Sequence, residues 1–240
     1  MPSQATVFNP RAVCNTRRLG NGSPCAVIDE FLEAPDALVE LAVCHRQAFG
    51  ESGHAYPGIE LPLPAPVTEH FVAQIVNRAG EALGIGAVIS AHGRLSMVTR
   101  PEKELRPIQC VCHRDRLFVD PGEKAVAAVL YLFRDPELGG TNFFRHLLPA
   151  DAIDARMQRW AGMSVEEFAA ESGQPAGYLT QSNRYFELTD VIEPRWNRLV
   201  AYDGGCFHGS HITRPELLSD QPAHGRLTLN LFLRCWTAAT

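Results

Sequence analysis

Two periodicities divide the chain. Up to about residue 86 the apolar positions fall at helical or irregular spacing, and from about Ala87 onward they alternate with polar ones. In the first part, "CAVIDEFLEAPDALVELAVCHRQAF" opens with a short apolar run that reads as a strand. From about Pro35 it continues as a helix, with Leu38, Leu41, Ala42 and His45 at helical spacing. The following "GESGHAYPGIELPLPAPV" is dense in Pro and Gly and is expected to be an irregular ordered loop. It leads into a second amphipathic helix, "TEHFVAQIVNRAGEALG", for which Thr68 is the expected N-cap.

In the second part, "AVISAHGRLSMVT", "IQCVCHRD", "AVAAVLYLF", "TNFFRHL", "RLVAYDGG", "CFHGSHI" and "RLTLNLFLRCW" each carry the period-two pattern of a strand, separated by turn-rich segments. Such a series predicts a sandwich or barrel. It is interrupted by "PADAIDARMQRWAGMSVEEFAAESG", whose helix-favouring composition and Ser164 capping signal mark a helical insertion at about 149–173. The stretch "YLTQSNRYFELTD" behind it is expected to be a loop. No repeat, low-complexity tract or linker divides the chain, so residues 1–240 are read as one domain. In it, a strand and helices over about 24–86 precede a β core over about 87–240.

Composition narrows the function. A formal net charge of -5 and a hydrophobic content of 45% describe a chain able to bury a full core, with no broad attraction for nucleic acid. The N-terminal "MPSQATVFNPRAVCNTRRLG" lacks a secretory layout and no apolar run is long enough to span a bilayer, so a cytoplasmic protein without a membrane partner is expected. The seven cysteines form no regular framework, which fits a reducing compartment and thiols that pack as small apolar groups.

The candidate chemistry starts in "QCVCHRDRLF". On an extended chain Val111, His113 and Asp115 share one face, and Cys110 and Cys112 share the other. This split, with no Cys-x-x-Cys pair, argues against structural zinc. A His-x-Asp pair needs one more histidine to form a two-histidine, one-carboxylate metal site with three open positions. "LVAYDGGCFHGSHI" offers His208 and His211, which lie on opposite faces if the segment is extended. His208 is favoured because it follows the "DGG" turn. In "GRLTLNLFL", Arg226, Thr228 and Asn230 face one way and Leu227, Leu229 and Leu231 the other. A guanidinium on the polar face can clamp a carboxylate through two parallel hydrogen bonds, or form a rim salt bridge.

Taken in order, His-x-Asp, an apolar strand ending in Gly-Gly, a late His and then an Arg, the sequence resembles the iron(II)- and 2-oxoglutarate-dependent oxygenases. "HRDRLFVDPGEKAVAAVLYLFRDPELGGTNFF" is similar to the prolyl-hydroxylase-like branch, as is the strand-to-helix entry "VIDEFL". "LSMVTRPEKELRPIQCVCHRD" and "GGTNFFRH" resemble an uncharacterised group within it. The resemblance implies a mainly β double-stranded β-helix (a jelly-roll, cupin-like barrel) with N-terminal helices and a helical insertion. It also implies Fe(II), 2-oxoglutarate and O2 as cofactor and cosubstrates. His113, Asp115 and His208 would be the iron ligands, and Arg226 and Tyr131 would bind the far carboxylate of 2-oxoglutarate. The retained Asp115 implies hydroxylation or another oxidation and not halogenation, hydroxylation being favoured, with a small-molecule or peptidyl substrate.

The sequence departs from the family pattern in two places. Its Gly-Gly-Glu is Gly139-Gly140-Thr141 here, and the gap from His208 to Arg226 is longer than usual, which keeps His211 and His224 in play, although His224 beside Gly225 reads as a turn residue. Arg145 and His146 are candidate substrate contacts, and the helical insertion is either a lid or a packing decoration. The alternative function is a non-catalytic cupin-like metal-binding or sensing protein, for which Arg226 would pair with a protein carboxylate. A zinc hydrolase would need a general-base motif such as His-Glu-x-x-His, which is absent from the sequence.

Overall fold

A computed structural model describes residues 7–51, 53–115 and 120–238. The first six residues and the end of the "QCVCHRDRLF" run lie outside the described residues. In chain order the strands are β1 (Cys14–Arg18), β2 (Pro24–Ile28), β3 (Gly50–Glu51), β4 (Gly58–Pro62), β5 (Ile85–Val98), β6 (Glu123–Tyr131), β7 (Thr141–His146), β8 (Phe186–Ile192), β9 (Leu199–Asp203), β10 (Phe207–Ser210) and β11 (Leu227–Thr237). The helices are α1 (Asp36–Cys44), α2 (Ala65–Ala79), α3 (Ala150–Ala161) and α4 (Val165–Ser172). No helix among the described residues is long and apolar enough to cross a membrane.

The strands form a major sheet in the order β1-β2-β9-β6-β11-β5-β4-β3 and a minor sheet in the order β10-β7-β8, antiparallel throughout. Period-two alternation sets the layers. On β11 the face carrying Leu227, Leu229, Leu231 and Leu233 packs with Leu95 and Met97 of β5 and with Phe71 and Ile75 of α2, so α1 and α2 cover the outside of the major sheet. On the other face Tyr131, Val200 and Tyr202 meet Phe143 of β7 and Ile192 of β8, which joins the two sheets. Behind the minor sheet, Phe144, Phe186 and Phe207 pack against Ile153, Trp160 and Phe168 of α3 and α4. The architecture is a double-stranded β-helix flanked by helices, as the alternation and the resemblance both predict.

Four local expectations are revised. "IQCVCHRD" is not a full strand: Pro107–Gln109 makes a short 3-10 turn, and the segment then pairs only through a bridge between His113 and His208. Pro107 has no amide hydrogen to give a ladder, and the Gln109 side chain binds the Arg106 amide at 2.8 Å, which stabilises the turn. "YLTQSNRYFELTD" contains β8, an edge strand whose alternation is blurred because its middle is half-buried on both faces. "GIELP" in the Pro-rich stretch is β4, paired to β5. Thr68 lies inside α2, with its hydroxyl donating back to the Pro64 carbonyl at 3.3 Å, because Pro64 and Ala65 begin the helix one turn earlier. Ser164 does cap α4, in a reciprocal capping box with Glu167.

Candidate metal centre and anion pocket

The backbone brings the three groups together. The His113 amide donates to the His208 carbonyl at 2.9 Å and the His208 amide returns the bond at 2.8 Å. Two residues on, the Asp115 amide donates to the Gly204 carbonyl at 2.8 Å, which turns the segment inward. A Cβ at Gly204 would stand 3.2 Å from the Asp115 Cβ, so the "DGG" turn is tight for a reason. One ligand atom each from His113, Asp115 and His208 lies within 4.8 Å of the others. His113 Nε2 is 3.7 Å from Asp115 Oδ1, and His208 Nε2 is 3.5 Å from Asp115 Oδ2.

The protonation states suit a cation. His208 Nδ1 lies 2.9 Å from the Cys206 carbonyl and must carry the proton there, leaving the Nε2 lone pair on the Asp115 side. Burial holds the His208 imidazolium down to about 4. His113 also titrates at about 4, through desolvation first and the neighbouring His208 second, against the pull of Asp115. Its ring is 53% accessible, but that access is to the interior of a cleft walled by protein. Burial raises the Asp115 carboxyl, and its Oδ2 is buried without a hydrogen bond among the described residues. Two neutral imidazoles and a buried carboxylate lacking a partner are a donor set that a divalent transition metal fits.

The same cavity, about 470 Å³, holds Arg226. This guanidinium is 3% exposed, and its Nε and Nη2 donate to the carbonyls of Gly139 and Gly140 at 3.0 and 2.7 Å. Among the described residues no carboxylate pairs with it. The Gly-Gly turn is required by crowding: a Cβ would lie 2.0 Å from the His211 carbonyl oxygen at Gly139, where φ is +83°, and 1.9 Å from that of Ile192 at Gly140. Those close approaches aim both carbonyls at Arg226. A buried arginine without a counter-ion is costly unless an anion joins it.

Tyr131 is one step removed from the cavity. It is fully buried between the sheets, and its hydroxyl bonds to Thr141 Oγ1 at 2.7 Å, while Thr141 lines the wall. β6 points Tyr131 at β7, so its hydroxyl reaches the cavity through Thr141. Tyr56 and Tyr178 line the cavity instead. The Tyr56 hydroxyl stands near Ser96, while Asn142 Oδ1 and Asn230 Oδ1, which line the same space, have no hydrogen bond among the described residues. Sequence reasoning missed Tyr56 and Tyr178 because both sit in irregular segments with no periodic signal. The sole hint was a tyrosine inside a Pro- and Gly-rich loop.

The remaining candidates separate. His211 does not join His113, Asp115 and His208; its Nδ1 lies 3.3 Å from Asn142 Nδ2 and its carbonyl covers Gly139. His224 sits in a turn, its amide donating to the Gln221 carbonyl. Arg145 pairs with Glu187 and His146 rests against Phe207, so neither lines the cavity, and their candidacy as substrate contacts is withdrawn. Helices α3 and α4 are packing elements, although the loop behind them contributes Tyr178 and Leu179 to the wall.

A family model described as a family of unknown function, DUF6445, matches residues 10–233. The chain belongs to that family. No curated protein matches this DUF6445 chain. Among solved structures it is similar to a Pseudomonas putida prolyl-4-hydroxylase, at 17% identity over 90% of this chain and 93% of that one, with a TM-score of 0.43. It is also similar to SnoN, a non-heme alpha-ketoglutarate-dependent epimerase from nogalamycin biosynthesis, at 12% identity over 92% and 82% and a TM-score of 0.47. HygX from Streptomyces hygroscopicus, with nickel and 2-oxoglutarate bound, matches at 14% identity over 91% and 84%, with a TM-score of 0.43. These likenesses are distant, and the functional reading below rests on this chain's own side chains.

Proposed function

We propose that this protein is an iron(II)- and 2-oxoglutarate-dependent oxygenase that hydroxylates a carbon of a small molecule or a peptidyl residue, with His113, Asp115 and His208 holding the metal. One observation carries the reading: a two-histidine, one-carboxylate cluster and a buried arginine without a counter-ion share one cavity. The order of motifs along the chain supports it independently. A metal-binding protein without turnover would need no cosubstrate anion site, and Arg226 lacks the protein carboxylate that such a reading requires among the described residues.

Bound there, iron(II) with 2-oxoglutarate and O2 supplies the oxidising power. The chain's residues position and exclude. His208 presents Nε2 because Cys206 holds its Nδ1 proton, and Tyr202 packs edge-on against its ring at 4.8 Å, which fixes the ring plane. Arg226, clamped by Gly139 and Gly140, keeps Nη1 free of protein partners among the described residues for the far carboxylate of the cosubstrate, and Tyr56 adds a hydroxyl to the same cavity. Tyr131 holds Thr141 in place behind them. The apolar seam of Phe143, Val200 and Tyr202 closes the inter-sheet space to water.

Anaerobic titration with iron(II) and then 2-oxoglutarate tests this, read by the weak visible charge-transfer absorption. The band is expected in the wild type, absent in Asp115→Asn, and dependent on roughly 10- to 100-fold more 2-oxoglutarate in Arg226→Gln, the loss of a charge-assisted bidentate contact. An iron-loaded wild type with no band would reject the proposal.

A further inference from the structure

In the same cavity as the three metal-competent groups stands a second cationic device that the oxygenase reading does not use. Strands β5 and β11 pair His92 with Phe232 and Arg94 with Asn230, and all four line the cavity. The Arg94 guanidinium lies 4.5 Å from the centre of the Phe232 ring, which His92 stacks against at 4.8 Å and 14°. Behind it Glu60, 7% exposed and not part of the cavity wall, pairs its Oε1 with Arg94 Nε at 2.7 Å and its Oε2 with His54 Nε2 at 3.0 Å. Arg94 Nη1 lies 2.8 Å from His54 Nε2, and Nη2 has no acceptor among the described residues.

A buried carboxylate in ion-pair contact with the arginine and an aromatic plate beneath it restrict the guanidinium before any ligand arrives. That is the preparation a bidentate anion contact needs. The wall presented to the cavity is Arg94, His54 and His92, with the negative partner hidden. The nearest negative group facing it is Asp115, whose charge a bound metal would take up.

We propose that Arg94 receives an anionic group, carboxylate or phosphate, of the substrate, so that the oxidised molecule is a small acid held between Arg94 and the metal. This rests on the oxygenase reading and narrows its substrate class, away from internal peptidyl residues. Glu60 acts as a positioning residue, through Arg94.

The test uses acetate, methyl phosphate and acetamide as probes. Each is titrated into metal-free protein and into protein loaded with Mn(II) and saturating 2-oxoglutarate, and the broadening of the probe's methyl proton resonance is followed. Acetate or methyl phosphate should broaden saturably and acetamide should not, with the stronger of the two anions identifying the group. Loaded Mn(II) should sharpen the effect by adding paramagnetic relaxation to the bound probe. Affinity should fall at least ~10-fold in Arg94→Gln/Glu60→Gln, which removes the contact without stranding a buried Glu60 charge. Arg94→Lys, which keeps charge but not the fork, should recover only part of it.

Acetamide binding as well as acetate, no saturable anion binding in wild type, or equal affinity in the double variant would each overturn the proposal. If Mn(II) and 2-oxoglutarate bind while the anion probes fail, this inference alone falls. If the anion binds at Arg94 in metal-free protein but Mn(II) and 2-oxoglutarate do not bind, the oxygenase reading has failed and the anion site stands.

Discussion

Replacing Asp115 by Asn should raise the stability of the metal-free protein while abolishing its stabilisation by metal. The carboxylate is buried, its Oδ2 is unpaired among the described residues, and burial raises its pKa, so near neutral pH the folded protein bears the cost of a charge the unfolded chain hydrates freely. Asparagine keeps the shape and removes the charge. The asparagine amide still lacks a partner, so only the part of the penalty due to the charge is relieved, about 1–3 kcal/mol at most. With an unfolding entropy of roughly 2.1 cal/mol/K per residue over 240 residues, this corresponds to about 2–6 °C in Tm. Anaerobic thermal unfolding with and without Mn(II) measures both halves. The metal-free variant should melt above the metal-free wild type, and the order should reverse at saturating Mn(II). A metal-free variant that melts lower, or one that gains as much from Mn(II) as the wild type, would refute the idea that Asp115 is held in strain for a cation.

Three further outcomes are expected. Because His208 is pulled from its ordinary value near 6.5 to about 4 by burial, the unfolded chain binds more protons between those values, and metal-free stability should fall as pH drops through that window. His208 alone contributes at most ~3 kcal/mol, His113 adds in the same sense and Asp115, whose raised pKa acts oppositely, offsets part; urea midpoints should show the slope reduced but not abolished in His208→Gln. Gly140→Ala drives a Cβ to 1.9 Å from the Ile192 carbonyl oxygen, so calorimetry should show a loss of ~3 kcal/mol or more, the scale of a severe backbone or packing conflict. A smaller loss would mean that the turn relaxes. Tyr56→Phe removes a buried hydroxyl from the cavity wall, so 2-oxoglutarate affinity should fall roughly 10-fold while the metal-free Tm changes little. An unchanged affinity would take Tyr56 out of the anion pocket.

Much of the strand framework was legible in the sequence. β5, β6, β7, β9, β10 and β11 follow their alternating runs, and the leucines of β11 face the helices as the pattern predicts. The pattern failed where the cause of a strand is its partner. β8 is a short, half-buried edge, and β4 lies among prolines, so each is defined by pairing with β7 or β5 and not by its own residues. The error at "IQCVCHRD" has the same origin: alternation was present, but Pro107 and the Gln109 side chain held a turn there.

At the site, the sequence by itself determined the donor types, the close spacing of His113 and Asp115, and the placement of Arg226 immediately before the last strand, in phase with its polar face. These are local facts, set by side-chain chemistry and strand geometry. Only the tertiary structure decided between His208 and His211, since that choice depends on which histidine the bridge to His113 carries inward. It also put Thr141 between Tyr131 and the cavity, brought Tyr56 and Tyr178 to Arg226 from distant loops, and set Glu60 behind Arg94. Those arrangements come from the packing of segments far apart in the chain, where close contact and desolvation act on distances that spacing along the chain does not encode.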